Sequence, residues 1–368
     1  MDTFTWELAE RVRKLTDQLE EREIDLAVLF NPGHIRFFTD FRMNTATESI
    51  LVVTGKGDLF YIVPPLDYRR AQESCWIRQL LIFPEDTPNY LSPLAKILPP
   101  SQVKRIGIEA DTITYHKLRF LQEVFAAELI PIDRELFAMR AVKTPAEIAL
   151  LRKAALIADT AMQACYEMMQ PGITEAELAG YARYIFEKSG AEGASFDPFW
   201  MSGANAWLPQ RFPSTKALQK GELCIFDMGA VYRGYCSDLT RTLSLGGLNS
   251  RQLEICQVAF TAQQTAMAAI KPGVTAKSID QIARDYIAGQ GFGDYFPHIT
   301  GHGLGISIHE MPILNQETDT ILQESMVVTV EPGIYLPGVG AARTEDMVLV
   351  TAEGYEKLTQ ASYDMLRS

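Results

Sequence analysis

An internal repeat constrains this chain more than any other feature. "PGITEAELAGYARYIFEKSG" begins at Pro171 and "PGVTAKSIDQIARDYIAGQG" at Pro272. That spacing of 101 aligns Pro-Gly with Pro-Gly, Thr174 with Thr275, Ala182-Arg183 with Ala283-Arg284, and Gly190 with Gly291. Self-similarity at a fixed period means one supersecondary unit used more than once. Each copy reads as a turn followed by a helix. After each comes a pair of strands bearing two carboxylates, Asp227 and Asp238 in the first case, Glu331 and Glu345 in the second. The unit is helix plus hairpin, twice.

The hairpins bring these acids together. In "LCIFDMGAVYRGYCSDLTRT" a turn at Tyr232-Arg233 predicts Asp227 directly opposite Asp238, with Cβ atoms ~5 Å apart. In "MVVTVEPGIYLPGVGAARTEDMVLV" the midpoint between Glu331 and Glu345 falls on Gly338, so the second pair repeats the arrangement less strictly. Val327, Thr329 and Glu331 share one strand face, Arg343 and Glu345 one on the partner. Like charges placed opposite one another destabilise a hairpin unless something positive lies between them. Taken singly, each acid reads as an edge or turn residue, and Arg241 or Arg343 as a surface ion-pair residue. Taken together, four carboxylates and one imidazole from the histidine-rich "HITGHGLGISIHE", 298–310, form an oxygen-rich site for two divalent cations. Manganese, cobalt or iron suits that donor set better than a structural thiolate zinc.

Other chemistries are excluded. His309-Glu310 imitates a zinc-protease motif, but that motif needs a second histidine four residues after the first, on one helical face; Ile313 stands there, behind Pro312. "GHGLG" fits neither nucleotide-loop pattern. The balance of 34 basic and 46 acidic side chains, a net charge of −12, repels nucleic acid and anionic lipid. No apolar run approaches the ~20 residues of a membrane span, and "MDTFTWELAERVRK" reads as a charged amphipathic helix, not a signal peptide. A cytoplasmic location is expected. The five cysteines are odd in number and lack CxxC spacing, which points to reduced core residues.

The first third reads as a mixed α/β domain. A helix carrying Trp6, Leu8, Val12, Leu15 and Leu19 precedes strands at "DLAVLF", "SILVVT", "DLFYIV", "QLLIF" and "RIGIEA", with "TGKGD" as a hairpin turn. His34 and His116 read as ordinary polar or capping residues. Thr144, Pro145 and Glu147 then form the cap, first position and capping box of a long helix. The domain boundary is placed before it, giving 1–135 and 136–368.

At this point the chain resembles the aminopeptidase P and prolidase metallopeptidases, which share the pita-bread fold with methionine aminopeptidase and creatinase. "NPGHIRFFTDF" looks like the N-terminal-domain signature, "FDMGAVYRGYCSDLTRT" the paired-aspartate hairpin, "HITGHGLGISIHE" the histidine loop and "VTVEPGIYLPGVGAARTED" the glutamate pair. The resemblance implies an α+β fold: a C-terminal pita-bread domain with a pseudo-twofold helix–hairpin repeat, after a smaller creatinase-type α/β domain. It implies two divalent ions, manganese first with cobalt, iron or zinc as alternatives. Asp227 would bind one metal, His302 and Glu331 the other, and Asp238 and Glu345 would bridge. His298 and His309 would bind the substrate and its tetrahedral intermediate, Glu331 would carry the proton, and Arg343 would fix Glu345 or its neighbours. The implied reaction is metal-assisted hydrolysis of the amide bond before proline, by a homodimer of aminopeptidase P or prolidase type.

Two positions depart from the family pattern. An "LPH" element seventeen residues before the first aspartate reads "LPQ" here, with Gln210, and where prolidases often carry an arginine four residues after the second loop histidine stands Ile313. Both lean from dipeptidase towards aminopeptidase or another amide. Three readings stay open: an Xaa-Pro peptidase, a creatinase-like or other small-amide hydrolase, and a non-catalytic binding protein on this fold. A neutral hydrogen bond contributes ~1 kcal/mol and a charged one ~1.5–3, so Gln210→His is expected to raise kcat/KM on Xaa-Pro peptides about tenfold. Steady-state kinetics of the two proteins checks this, and equal rates would place Gln210 outside the site.

Overall fold

A computed structural model describes residues 3–44, 47–83, 91–209 and 212–364 and divides into two units, Met1–Arg140 and Ala141–Ser368. The division falls at the end of helix Asp133–Ala141, within which residue 136 lies. No helix among the described residues is long and apolar enough to cross a membrane.

In the first unit the five expected strands form at Leu26–Leu29, Ile50–Thr54, Leu59–Val63, Leu80–Ile82 and Arg105–Ile108. A sixth, Glu128–Pro131, lies at the sheet edge; its "ELIP" is short and ends in proline, so no period-two pattern announced it. Leu26–Leu29 pairs antiparallel with Ile50–Thr54 and parallel with Arg105–Ile108, making the sheet mixed. Gly57, at φ +85°, closes the expected hairpin turn. Helix Thr3–Glu21 buries Leu8, Val12, Leu15 and Leu19, but Trp6 is 65% exposed and does not belong to that face. His34 is no cap. It is buried, with Nδ1 2.5 Å from Oε1 of the equally buried Glu109, while Asn31 caps its helix.

The second unit starts as its capping residues dictate. Thr144 accepts from the Glu147 amide, the Glu147 carboxylate accepts from the Thr144 amide, and Pro145 opens helix Pro145–Met168. A Pro-Gly turn with Gly172 at φ +94° leads to helix Glu175–Lys188, capped by Thr174. The second copy repeats this: helix Ser250–Ala268, Gly273 at φ +90°, and helix Ala276–Gly289 capped by Thr275.

Each helix pair covers one face of its own hairpin sheet. Strand Leu223–Met228 points Cys224, Phe226 and Met228 into a core with Trp200, Ala158 and Leu178. Its alternate residues Leu223, Ile225 and Asp227 face the other way, because side chains alternate along a strand. Strand Leu239–Ser244 contributes Leu239 and Leu243 to the same core, which leaves Asp238 and Thr240 on the face with Asp227. In the second copy Val328, Val330, Val348 and Val350 pack with Ile279 and Ala283 of the helices. Glu331 and Glu345 have the opposite parity and stand on the face away from these two helices, where Val327 and Met347 are buried with Leu151 and Leu304.

The first register differs from the sequence expectation. Arg233 and Gly234 both have positive φ, +46° and +86°, and form the two-residue turn, with Tyr232 paired to Tyr235. A turn of this kind requires left-handed backbone at both positions, which draws the loop onto the glycine. Asp227 therefore faces Thr240, and Asp238 is its diagonal neighbour on the same face. The second hairpin is the stricter one. Val330↔Asp346 and Gly333↔Arg343 share a register that sets Glu331 across from Glu345.

Gly229 interrupts the first hairpin where the strands approach most closely: a Cβ there would lie 1.8 Å from the Ser237 carbonyl oxygen and 2.1 Å from Ser195 Oγ. Backbone cannot yield by that much within a packed core. Gly229→Ala is expected to destabilise the protein by about 3 kcal/mol or more, read by denaturant unfolding. Gly247→Ala, in open space, is the control.

Candidate metal centre

The acid-bearing faces of the two hairpins are joined along strands Leu239–Ser244 and Gly340–Arg343. The Glu345 amide donates to the Thr240 carbonyl (3.1 Å), and the Thr242 hydroxyl donates to the Arg343 carbonyl (2.8 Å). These contacts bring Asp227 and Asp238 beside Glu345. The third contributor is strand Gly301–Gly303, which pairs with Val327–Val330 and delivers His302. His302 Nε2 lies 3.5 Å from Asp238 and 3.4 Å from Glu331. Its Nδ1 sits 2.9 Å from the Gly303 carbonyl. A carbonyl only accepts, so Nδ1 carries the proton and Nε2 presents its lone pair to the carboxylates. Asp238, His302 and Glu345 each offer a ligand atom, all within 4.8 Å of one another.

Arg343 organises the other side. Its Nη2 donates to Asp227, its Nε to the Thr240 hydroxyl (3.1 Å) and its Nη1 to the Tyr335 hydroxyl (2.9 Å). Thr240 in turn donates to Glu345 (2.7 Å). The carboxylate that Arg343 holds is thus Asp227 of the opposite hairpin. It reaches Glu345 through Thr240, so of Glu345 and its neighbours it is Asp227 that it contacts directly. Tyr335 stands 2.9 Å from His298 Nε2, and His298 Nδ1 lies 2.8 Å from the Ile299 carbonyl. The carbonyl again fixes the proton on Nδ1, so Tyr335 donates to Nε2. Burial pushes the Tyr335 phenol up to about 12, keeping it a donor, and burial also holds the His298 pKa below its ordinary value. His309 is exposed, its ring centroid 4.2 Å from that of His302.

Whether this pocket suits a divalent cation is decided by its unused oxygens. Asp227 Oδ1, Asp238 Oδ1 and Glu345 Oε1 are buried and find no hydrogen-bond partner among the described residues. Buried polar atoms left unpaired are costly, and buried charges persist where they are paired or coordinate metal. Burial, and then the neighbouring acids, raise the Asp238 and Glu345 carboxyls well above the ordinary range. Asp227 rises to about 6, burial outweighing Arg343. Three anionic oxygens with nothing between them and an imidazole lone pair aimed at them fit hard divalent cations.

Of the residues singled out in the sequence, Asp227, Asp238, His298, His302, His309, Glu331, Arg343 and Glu345 all belong to this one constellation. Gln210 lies outside the described residues. Thr240 and Tyr335 escaped the sequence reading. Thr240 was legible by parity, two residues after Asp238, whereas Tyr335 had no local signal. Glu310 proves to be a buried partner of Lys143, 3.2 Å away, on strand Glu310–Leu314.

Comparison with known proteins bears on the whole chain. Residues 149–352 match the model of metallopeptidase family M24, and residues 11–142 the creatinase/prolidase N-terminal domain. An Xaa-Pro dipeptidase of Pyrococcus furiosus is 36% identical over 360 residues, covering 98% of this chain and 100% of that protein. Among solved structures, the prolidase of Pyrococcus horikoshii superposes with a TM-score of 0.90 at 33% identity, covering 97% of this chain and 99% of that one. The X-Pro aminopeptidase of Thermotoga maritima gives 0.89 at 30%, covering 96% and 99%. The fold and the site define a two-domain pita-bread metallopeptidase with divalent metal ions as its cofactor. The chain belongs to metallopeptidase family M24.

A pH dependence arises from the buried acids. A carboxyl whose folded pKa is raised contributes stability below its unfolded pKa and loses it as pH rises through the folded value. For Asp227 that window runs from the ordinary 3.8 to about 6. The chelated protein is therefore expected to melt lower at pH 8 than at pH 5, and the gap between metal-loaded and chelated Tm to widen over the same range. Calorimetry at both pH values checks it; a gap that is constant or narrows sinks the assignment.

Proposed function

We propose that this protein hydrolyses the amide bond before proline in Xaa-Pro peptides, with two divalent ions held by Asp227, Asp238, His302, Glu331 and Glu345. The observation that carries the reading is the set of three buried, unpartnered carboxylate oxygens beside the His302 lone pair. In this assignment Asp227, Asp238, His302, Glu331 and Glu345 would hold the ions, with Asp238, His302 and Glu345 offering ligand atoms within 4.8 Å of one another. Manganese matches the oxygen-rich donors. Cations held there lower the pKa of an attacking water and polarise the scissile carbonyl.

The chain's own residues do the rest. Glu331 takes the proton from the attacking water and returns it to the leaving nitrogen. Its side chain is 13% exposed, so it can meet both. His309, open to solvent, donates towards the developing oxyanion. His298, held by Tyr335, lines the substrate side. Arg343 orients Asp227, and Thr240 aims Glu345 by donating to Oε2 while Oε1 stays free for an ion.

The relatives include both a dipeptidase and an aminopeptidase. A dipeptide ends at its proline with a free carboxylate, whereas a longer peptide continues past it. Ile313, in place of an arginine that would hold that carboxylate, favours the longer peptide. A small-amide hydrolase is the second reading, on the strength of Gln210. Manganese-loaded protein assayed on an Xaa-Pro dipeptide, an Xaa-Pro-Yaa tripeptide, an Xaa-Ala dipeptide and creatine separates these. Turnover is expected on the proline peptides alone, with about two metals per chain by elemental analysis and none of it surviving Asp238→Ala. Cleavage of creatine alone would replace the peptidase reading by the second one.

A further inference from the structure

The glutamate of the His309-Glu310 pair has no place in the proposed reaction, yet it is buried against a buried lysine. Lys143 is 3% exposed and Glu310 8%. Lysine and glutamate almost never occupy such positions unless paired. Exchanging a buried ion pair for apolar side chains is often neutral or stabilising, so stability alone does not account for this one. Its two ends explain it better.

Lys143 sits on a rigid frame. Its amide donates to the Ser325 carbonyl (2.9 Å), Val142 bridges to Met326, and the next residue, Thr144, caps helix Pro145–Met168. Its Nζ lies 3.2 Å from Glu310 Oε2 and 3.3 Å from the Ala141 carbonyl. Glu310 sits at the end of the loop that carries His309. Its Oε1 accepts from the Ser307 amide (2.9 Å), and its carboxylate lies beneath Gly305, where a Cβ would come within 2.7 Å of it. The register of the surrounding ladder slips between His302 and Gly303, so backbone pairing with strand Gly301–Gly303 does not by itself set the path from 304 to 309.

We infer that Lys143 is a positioning residue for His309: it anchors Glu310, and Glu310 fastens the loop that holds the His309 ring beside His302. The inference rests on the proposed role of His309 as a donor to the oxyanion.

Two readouts test it together. Histidine-labelled, zinc-loaded protein gives an Hε1 signal for His309, identified by its loss in His309→Ala. Because Lys143→Met alone leaves Glu310 buried and unpaired, the main variant is Lys143→Met/Glu310→Gln, with Lys143→Arg as the conservative one. In the double variant the His309 signal is expected to shift or broaden while those of His34 and His116 hold still. On manganese-loaded protein, kcat for an Xaa-Pro dipeptide is expected to fall between about tenfold and hundredfold, with metal content unchanged and Lys143→Arg recovering part of the loss. A fall in rate with the His309 signal unmoved overturns the inference and leaves the role of His309 intact. A moved signal with an unchanged rate overturns that role, and the inference with it.

Discussion

Four carboxylates gathered in one buried pocket are the condition around which this structure is arranged. Burial penalises each charge and proximity penalises each pair. Among the described residues, the cation set against them is Arg343, and it is committed to Asp227, Thr240 and Tyr335. The remaining oxygens are left for something divalent. A pocket built for stability alone would be apolar; this one sets the cost of unpaired acids against the binding of metal.

The repeated helix–hairpin unit is what makes the gathering feasible. In each copy, period-two alternation sends one set of apolar residues to the helix pair and puts the acids on the opposite face, where Leu223, Ile225, Val327 and Met347 are buried in cores of their own. Where the acid-bearing faces join, Thr240 and Thr242 bond across to Glu345 and Arg343. Threonine suits that seam, since its hydroxyl both donates and accepts and its methyl tolerates strand geometry. The proposed metal ligands Asp227 and His302 sit on strands, and Asp238, Glu331 and Glu345 in the two-residue breaks beside strands, so the adjoining ladders fix their directions.

The two hairpins also show how little separates similar patterns. Both place their acids on one face, but one does so by direct opposition and the other diagonally. The difference is which residue adopts left-handed backbone in the turn. Gly234 takes that position in the first hairpin, so the ladder runs two residues out of the register that symmetry about Tyr232-Arg233 predicts. A shift of two keeps every side chain on its face, so Asp227 and Asp238 share a face in either register.

The helices capped by Thr144, Thr174 and Thr275, the Pro-Gly turns, five strands of the first unit and the four acids with one imidazole of the 298–310 loop were legible in the chain alone, because capping, glycine backbone freedom and strand alternation act over a few residues; which histidine takes which place came only with the family resemblance. What local pattern could not reach was decided by packing. Tyr335 reaches His298 and Arg343 reaches Asp227 only once two hairpins far apart in sequence are joined, and Trp6, apolar and on an amphipathic helix, stays exposed because it lies off the buried face. Ile313 already ruled out a zinc motif at Glu310, but its actual partner, Lys143, stands 167 residues away in sequence and meets it only in the folded chain. Local rules set the type of each element and the face of each side chain. Which acid meets which base is a long-range contact, and only the tertiary structure closes it.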